Sequence, residues 1–484
     1  MACGTATHKG RETRMVDEAF RARVDEYVDE VWEDVVADIR SLVRIESVED
    51  LSTAGPGMPW GKRSNEALLE ALAIAERLGL ATTNVDGYLG FGDVPGADGR
   101  QIATIAHSDI VPVGLGWHTD PLDVTRREGY LLGRGVLDDK GPLTLSLWAA
   151  HFFVREVGRT GRPLPHTLRC IIGNEEETGM GDVDHYLAHY PEPDFCFSPD
   201  ADFPLICGEK GILHGEYVLD APVVGGRIVS LEGGTVVNAI PGTAEALVHA
   251  DATELPAAKG ISVEAAGKGL ARVTATGKGG HASMPEGTLN AIGLLARYLL
   301  AHGLCDEGER AFLELLRTLT EDAYGRAAGI ASADDKFGAL TCVAGVVALR
   351  EGRLTQTIDV RYPTSTTGEE VAAGLAALGR AAGCTFEVRS DNRPFYIPPD
   401  SPEIQALLTS YEEYTGRPGT AFVIGGGTYA RHFAHACAFG PHDPADADPE
   451  WVGIEHGPDE GISEEALRRA LKIYIVSIAK LLEL

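Results

Sequence analysis

Short stretches of the chain carry residues able to hold a cation or move a proton. They are His107-Ser108-Asp109, Asp138-Asp139-Lys140-Gly141, Asn174-Glu175-Glu176-Glu177-Thr178-Gly179, Pro199-Asp200 and Glu455-His456-Gly457. Imidazole and carboxylate donors in this mixture suit Zn²⁺, or Mn²⁺ or Co²⁺. Each stretch taken singly has a plainer explanation. A His-x-Asp is most often a simple hydrogen bond. An Asp-Asp-Lys-Gly turn reads as a helix cap, because Asp favours the positive end of a helix. A Glu triplet reads as a solvated charge run, and a His ahead of a terminal helix as a surface residue. The combination resists these explanations. Ile102–Ala106, Leu168–Ile172 and Phe195–Ser198 read as buried strands, and each ends in one of these polar stretches. Desolvating such charges costs several kcal/mol unless they are paired. A pair of divalent cations would compensate them, and in open α/β sheets ligands bind beyond the carboxyl ends of the strands.

The elements that must position these residues follow from apolar periodicity. Phe20, Val24, Tyr27, Val28, Val31, Val35, Ile39, Leu42 and Val43 recur at helical spacing between Val16 and Arg44. A second amphipathic helix is expected from Arg63 to Leu78, closed by Gly79. An apolar helix is expected from Gly141 to Val157, between the strands named above. This alternation predicts an α/β layer with a mostly parallel sheet flanked by helices. From Gly211 to Asn392 the pattern changes to alternating strands, such as Arg272–Thr276, Leu340–Leu349 and Thr355–Val360. Helices fall there at Asn290–His302, Glu309–Leu319 and Glu369–Ala382. This reads as an inserted α+β domain. The expected organisation is therefore a leader at 1–15, a catalytic domain at 16–210, the insertion at 211–392, and the rest of the catalytic domain at 393–484. That last part holds helices at Glu403–Tyr414 and Ser463–Leu484, the second with Ser463 as N-cap.

Composition narrows the function. The 484 residues hold 42 Lys+Arg and 72 Asp+Glu, so the net charge is 42 − 72 = −30. The length exceeds one core and favours two domains. The charge argues against nucleic acid and anionic membranes as partners, since both need a basic surface. The longest nearly apolar run, Gly338–Leu349, falls short of the roughly 20 residues of a membrane span. The eight cysteines are scattered, with no C-x-x-C pair, and read as reduced, buried thiols of a cytoplasmic protein. Residues 1–15 are polar without an apolar signal core, and read as a disordered leader with Met15 as an alternative start.

The blocks AHSDIVPVGLGW (106–117), GRGVLDDKGP (133–142), NEEETGMGD (174–182), SPDADFPLICGEKG (198–211), GKGGHASMPEGTLNA (277–291), GGGTYAR (425–431) and IEHGPDE (454–460) carry a family resemblance. They resemble the aminoacylase, carboxypeptidase and dipeptidase family of dinuclear zinc hydrolases, and within it the PepV-like dipeptidases and the carnosinases. The resemblance implies a zinc-exopeptidase-like catalytic domain and a lid made of two ferredoxin-like halves. It implies two metal ions held by His107, Asp138, Glu177, Asp200 and His456, with Asp138 bridging and followed by a cis peptide. Asp109 is then the carboxylate that orients His107. Glu176 is the base, or Glu175 if the frame slips by one residue. His281 stabilises the oxyanion, acting within its own chain, so that a monomer suffices. Asn238, Arg361 and the Gly426 turn would bind the carboxylate of a dipeptide, with a structural ion pair as the second reading of Arg361. Arg431 is a weaker candidate. The expected reaction is hydrolysis of dipeptides with a free C-terminal carboxylate by a metal-activated water. An N-acyl amino acid deacylase of the acetyl or succinyl type is the alternative. A non-catalytic binding homologue would have lost Glu176 or a ligand, and all are present.

Overall fold

Four largely buried strands lie parallel and side by side, in the order Thr167–Gly173, Gln101–His107, Phe195–Ser198 and Ala436–Ala438. They form the centre of a sheet in a computed structural model that describes residues 16–223 and 225–484. The leader expected at residues 1–15 lies outside the described residues. Antiparallel strands extend the sheet on both sides. Leu89–Val94 and then Ala81–Val85 follow Thr167–Gly173, and Ile206–Glu209 follows Ala436–Ala438.

Parallel strands need covering helices, and here the amphipathic segments supply them. Helix Lys140–Thr160 packs on strands Gln101–His107 and Thr167–Gly173, and against helices Glu18–Val43 and Glu464–Leu481. Helix Lys62–Arg77 packs on Ala81–Val85 and Leu89–Val94. Gly79, at φ 88°, takes the chain out of that helix in the left-handed conformation that glycine adopts without strain. Ser463 caps the last helix, its hydroxyl accepting from Ala466 N at 3.0 Å. These elements, with Ile206 and Cys207 alone of the strand Ile206–Glu209, form one unit, made of the described residues up to Cys207 with Ile397–Phe422 and Thr428–Leu484.

The second unit is Gly208–Tyr396 with Val423–Gly427. Its eight antiparallel strands run in the order Ile261–Gly267, Leu270–Thr276, Thr243–His249, Ile228–Gly233, Thr341–Arg350, Arg353–Tyr362, Gly211–Leu219 and Cys384–Asn392. The two groups of four meet between Ile228–Gly233 and Thr341–Arg350, through Glu232↔Ala348 and Gly233↔Val347. Helices Ala291–Ala301, Glu307–Leu319 and Gly368–Ala381 close the core with Leu295, Phe312 and Leu375. Capping boxes start the last two of these helices, Asp306 with Glu309 and Thr367 with Glu370.

Among the described residues seven cysteines are buried and none forms a disulfide. No described helix is long and apolar enough to cross a membrane. The packing of the last helix makes a direct test. Leu471→Ala, at a fully buried position, is expected to cost about 2–5 kcal/mol in urea unfolding. Leu69→Ala, at a side chain 48% exposed, should stay within about 0.5 kcal/mol of the parent.

Candidate metal centre

Strand register brings the polar stretches level with one another. Ile102 pairs with Phe195 and Thr104 with Phe197, an offset of 93 residues. Carried on to His107, that offset reaches Asp200 (107 + 93 = 200), just past the neighbouring strand's end. On the other side His107 pairs with Gly173, so the turn that begins at Asn174 starts at the same height. Asp138 arrives from the start of helix Lys140–Thr160, through a cis peptide to Asp139. His456 arrives on a loop closed by the Gly453–Glu460 bridge, and adopts φ 62°.

The side chains converge on Asp138. His107 Nε2 lies 3.0 Å from Asp138 Oδ1 and 3.7 Å from Asp200 Oδ2. His456 Nε2 lies 2.9 Å from Asp138 Oδ2 and 3.2 Å from Glu177 Oε2. Two groups able to hold a cation result, His107 with Asp138 and Asp200, and Asp138 with Glu177 and His456. Within each, the ligand atoms lie within 4.8 Å of one another. Asp109 stands behind both groups. Its Oδ1 is 3.3 Å from His107 Nδ1, and its Oδ2 accepts from Glu177 N at 3.1 Å.

The electrostatics of this cluster are those of a cation trap. Burial and then the charge of Asp138 push the Asp200 carboxyl up to about 8. Burial and Asp200 hold Glu176 well above the usual carboxylate range, and burial and Asp138 raise Glu177. For Asp138 burial is outweighed by the hydrogen bonds of His107 and His456, which hold it low. Hydrogen bonds to Asp138 and Glu177 push His456 up to about 11. Glu177 Oε1 is buried with no hydrogen-bond partner. Crowded carboxylates, two imidazoles and an orphaned oxygen fit a hard or borderline divalent cation.

The plainer explanations fail on particulars. Asp139 occupies the N-cap position of helix Lys140–Thr160 but makes no side-chain cap bond. Its Oδ2 accepts instead from His107 N at 2.9 Å. The Glu triplet is no solvated run. Glu175 is buried, and its carboxylate accepts from Gly181 N at 2.6 Å and from the Thr178 hydroxyl at 3.2 Å, closing its own turn. Glu176 lies in the field of Asp200, His107, Glu177 and Asp138.

Asn238, His281, Arg361 and Gly426 belong to the second unit and share a neighbourhood there. His281 pairs with Ala239, and Ala282 N donates to Asn238 O at 2.9 Å. His281 Nδ1 is 2.6 Å from the Ser283 hydroxyl, and a Cβ on Gly425 would lie 2.7 Å from Ser283 Cβ. Arg361 Nη1 donates to Gly425 O at 2.9 Å. Its Nε and Nη2 grip Asp359 at 2.7 and 2.8 Å, the structural ion pair that the sequence left open.

Sequence reasoning missed four supporting residues. Asp182 Oδ2 accepts from Asn174 N at 2.6 Å, Glu175 N at 3.2 Å and Tyr429 Oη at 2.5 Å, and so fixes the start of the Glu turn. Gly173 leaves the space that the Tyr429 ring fills. Arg134 and Glu460 form a buried ion pair across 326 residues of sequence, with no local pattern to reveal it.

Comparison with known proteins agrees with this architecture. Residues 103–480 match peptidase family M20/M25/M40. The chain is 32% identical over 475 residues to the Beta-Ala-Xaa dipeptidase of Lactobacillus delbrueckii subsp. lactis, covering 92% of this chain and 96% of the relative. The crystal structure of human carnosine dipeptidase 1 matches with a TM-score of 0.60 at 16% identity, over 97% of this chain and 100% of that one. Aminoacylhistidine dipeptidase from Vibrio alginolyticus matches with a TM-score of 0.55 at 13% identity, over 92% and 95% of the two chains. At such identities the two structures speak for the fold, while the family match and the bacterial relative speak for descent. This chain belongs to peptidase family M20/M25/M40.

Proposed function

We propose that the chain is a dipeptidase that hydrolyses dipeptides bearing a free C-terminal carboxylate, with two divalent cations, Zn²⁺ foremost and Mn²⁺ or Co²⁺ as alternatives. The observation that carries this reading is Asp138, with one oxygen turned to each of two ligand groups. His107, Asp138 and Asp200 would hold one ion, and Asp138, Glu177 and His456 the other. When bound, such a pair supplies Lewis acidity and a water of lowered pKa. Glu176 takes the proton of the attacking water and returns it to the leaving amine, a task suited to a carboxyl held above its ordinary range. Asp109 orients His107 and anchors the backbone of Glu177.

The bacterial relative named as a dipeptidase supports this substrate class. In the second unit, read here as the lid, His281 serves the oxyanion, and Asn238 and the Gly426 turn serve the carboxylate. Arg361 shapes that turn through Gly425, and its fork is filled by Asp359. With His281 supplied by the same chain, a monomer suffices. The buried thiols of the described residues, none of them in a disulfide, support a cytoplasmic site of action.

A panel of dipeptides, C-terminally amidated dipeptides and N-acetyl and N-succinyl amino acids, assayed with each metal, tests the reading. Turnover confined to free dipeptides is expected, and preference for the N-acyl amino acids would make the protein a deacylase.

Glu176→Gln should lower kcat by about 10²–10⁴-fold with metal content unchanged. Glu175→Gln, which keeps an acceptor for its turn, should retain most of the turnover.

Chelation should abolish hydrolysis, and added metal should restore it. Asp200 and His456 are pushed up to about 8 and 11, so both hold protons below pH 8 and must release them to ligate. Metal affinity should therefore rise with pH from 6 to 8, with proton release visible by calorimetry in buffers of different ionisation enthalpy.

A further inference from the structure

His107, Glu177 and Asp200 end or follow strands of the large sheet, whereas Asp138 and His456 ride on loops that do not continue its strands. Asp138 lies in the loop from Gly133 to Asp139, and His456 sits in the loop from Gly453 to Glu460. Strand Gly461–Ser463 pairs with Tyr130–Leu132, which brings the two loops together. Their junction is an ion pair sealed from solvent, with Glu460 0% and Arg134 1% exposed.

Glu460 Oε1 accepts from three backbone amides, Gly135 at 2.9 Å, Leu137 at 3.1 Å and Asp138 at 3.2 Å. Its Oε2 binds Arg134 Nη1, and Arg134 Nη2 donates to the carbonyl of His456 at 3.1 Å. One carboxylate thus holds the backbone of Asp138, and the guanidinium bonded to it holds the backbone of His456. Gly135, at φ 94°, gives the tight turn that aims the amides inward. A buried ion pair is no requirement of stability, since well-packed apolar residues serve as well or better. Its use here calls for a reason of position, and the two backbones it joins are those of two ligands.

We propose that the Arg134–Glu460 pair is a positioning device for the cation held by Asp138, Glu177 and His456, setting the span between Asp138 and His456 without touching the ion. This rests on the ligand assignment proposed above. His107 and Asp200 are placed by the parallel strands, independently of the pair. Asp138 belongs to both positions, so loss of the pair should weaken the position of Asp138, Glu177 and His456, which has two ligands tied to it, more than the position of His107, Asp138 and Asp200, which has one.

The test uses the full-length chain titrated with Co²⁺, with metal content and visible absorption as readouts beside kcat and KM. R134M/E460L removes both charges without stranding either. R134K keeps the charge but not the planar fork that reaches both Oε2 and the His456 carbonyl. The expected result is two Co²⁺ per wild-type chain, and in R134M/E460L one weakened about 10–100-fold and the other distinctly less. R134K should fall between, and excess metal should restore kcat with KM unchanged. Two ions bound with wild-type affinity in folded R134M/E460L would overturn the proposal, and so would equal weakening of both positions. If R134M/E460L does not fold, R134K decides by the same criteria. A wild-type chain that takes up one ion would refute the two-ion reading instead. The pair is then judged on that single ion, with unchanged affinity in R134K refuting it and weakening upholding it.

Discussion

Carboxylates that face one another in a buried space repel, and they settle only with protons or cations between them. Asp138, Glu176, Glu177 and Asp200 are in that position, and the cost of their company is legible in the raised pKa values of the last three, while hydrogen bonds from His107 and His456 hold Asp138 low. Much of the first unit can be read as the scaffolding such a cluster demands. The parallel register of Thr167–Gly173, Gln101–His107 and Phe195–Ser198 sets three strand ends level. A helix start then brings Asp138 across that level. Were any strand shifted by one residue, its terminal side chain would turn to the opposite face and the cluster would lose a member.

The cluster is fixed through backbone more than through side chains. Asp139 holds the amide of His107, Asp109 that of Glu177, Asp182 those of Asn174 and Glu175, and Glu460 those of Gly135, Leu137 and Asp138. Each support is itself an acid. A carboxylate is a strong acceptor for N–H groups, and it can take several at once. The arrangement leaves the side chains of the cluster turned mainly to one another, with Glu177 Oε1 buried and without a hydrogen-bond partner. Acids thus serve in two ways, as members of the cluster and as the anchors of its backbone.

This division explains what could be read from the sequence. The cluster residues stand beside apolar strands, so that His107, Glu177 and Asp200 announce themselves as charges where burial is expected. The anchors carry no such sign. Asp182 resembles an ordinary first-turn acid of helix Gly181–His189, and its partner Tyr429 lies 247 residues away. Glu460 meets Arg134 only because a short strand folds back on Tyr130–Leu132. Periodicity reports local burial and is silent on such pairings. Arg361 is a different case. Asp359 stands two residues before it on the same face of strand Arg353–Tyr362, so the ion pair was visible in the spacing. Helix Glu307–Leu319 likewise starts two residues ahead of the expected Glu309, because Asp306 and Glu309 form a reciprocal cap that apolar spacing does not register.

The sequence Asp138-Asp139-Lys140 concentrates these themes. Its residues are adjacent, yet each is committed to a different part of the unit. Asp138 faces both imidazoles, and Asp139 holds the backbone of His107. Lys140 is buried, with Nζ donating to the carbonyls of Leu42 at 2.9 Å and Ile45 at 2.6 Å, where helix Glu18–Val43 ends. Burial pushes that amine down to about 7, against the opposing pull of Asp109 and Glu460. A lysine so placed is a costly way to close a helix, unless its position matters more than its charge. It ties the first helix to the turn that delivers Asp138. Three neighbouring side chains thereby tie the carboxylate cluster, the central strand and the outer helix to a single stretch of backbone.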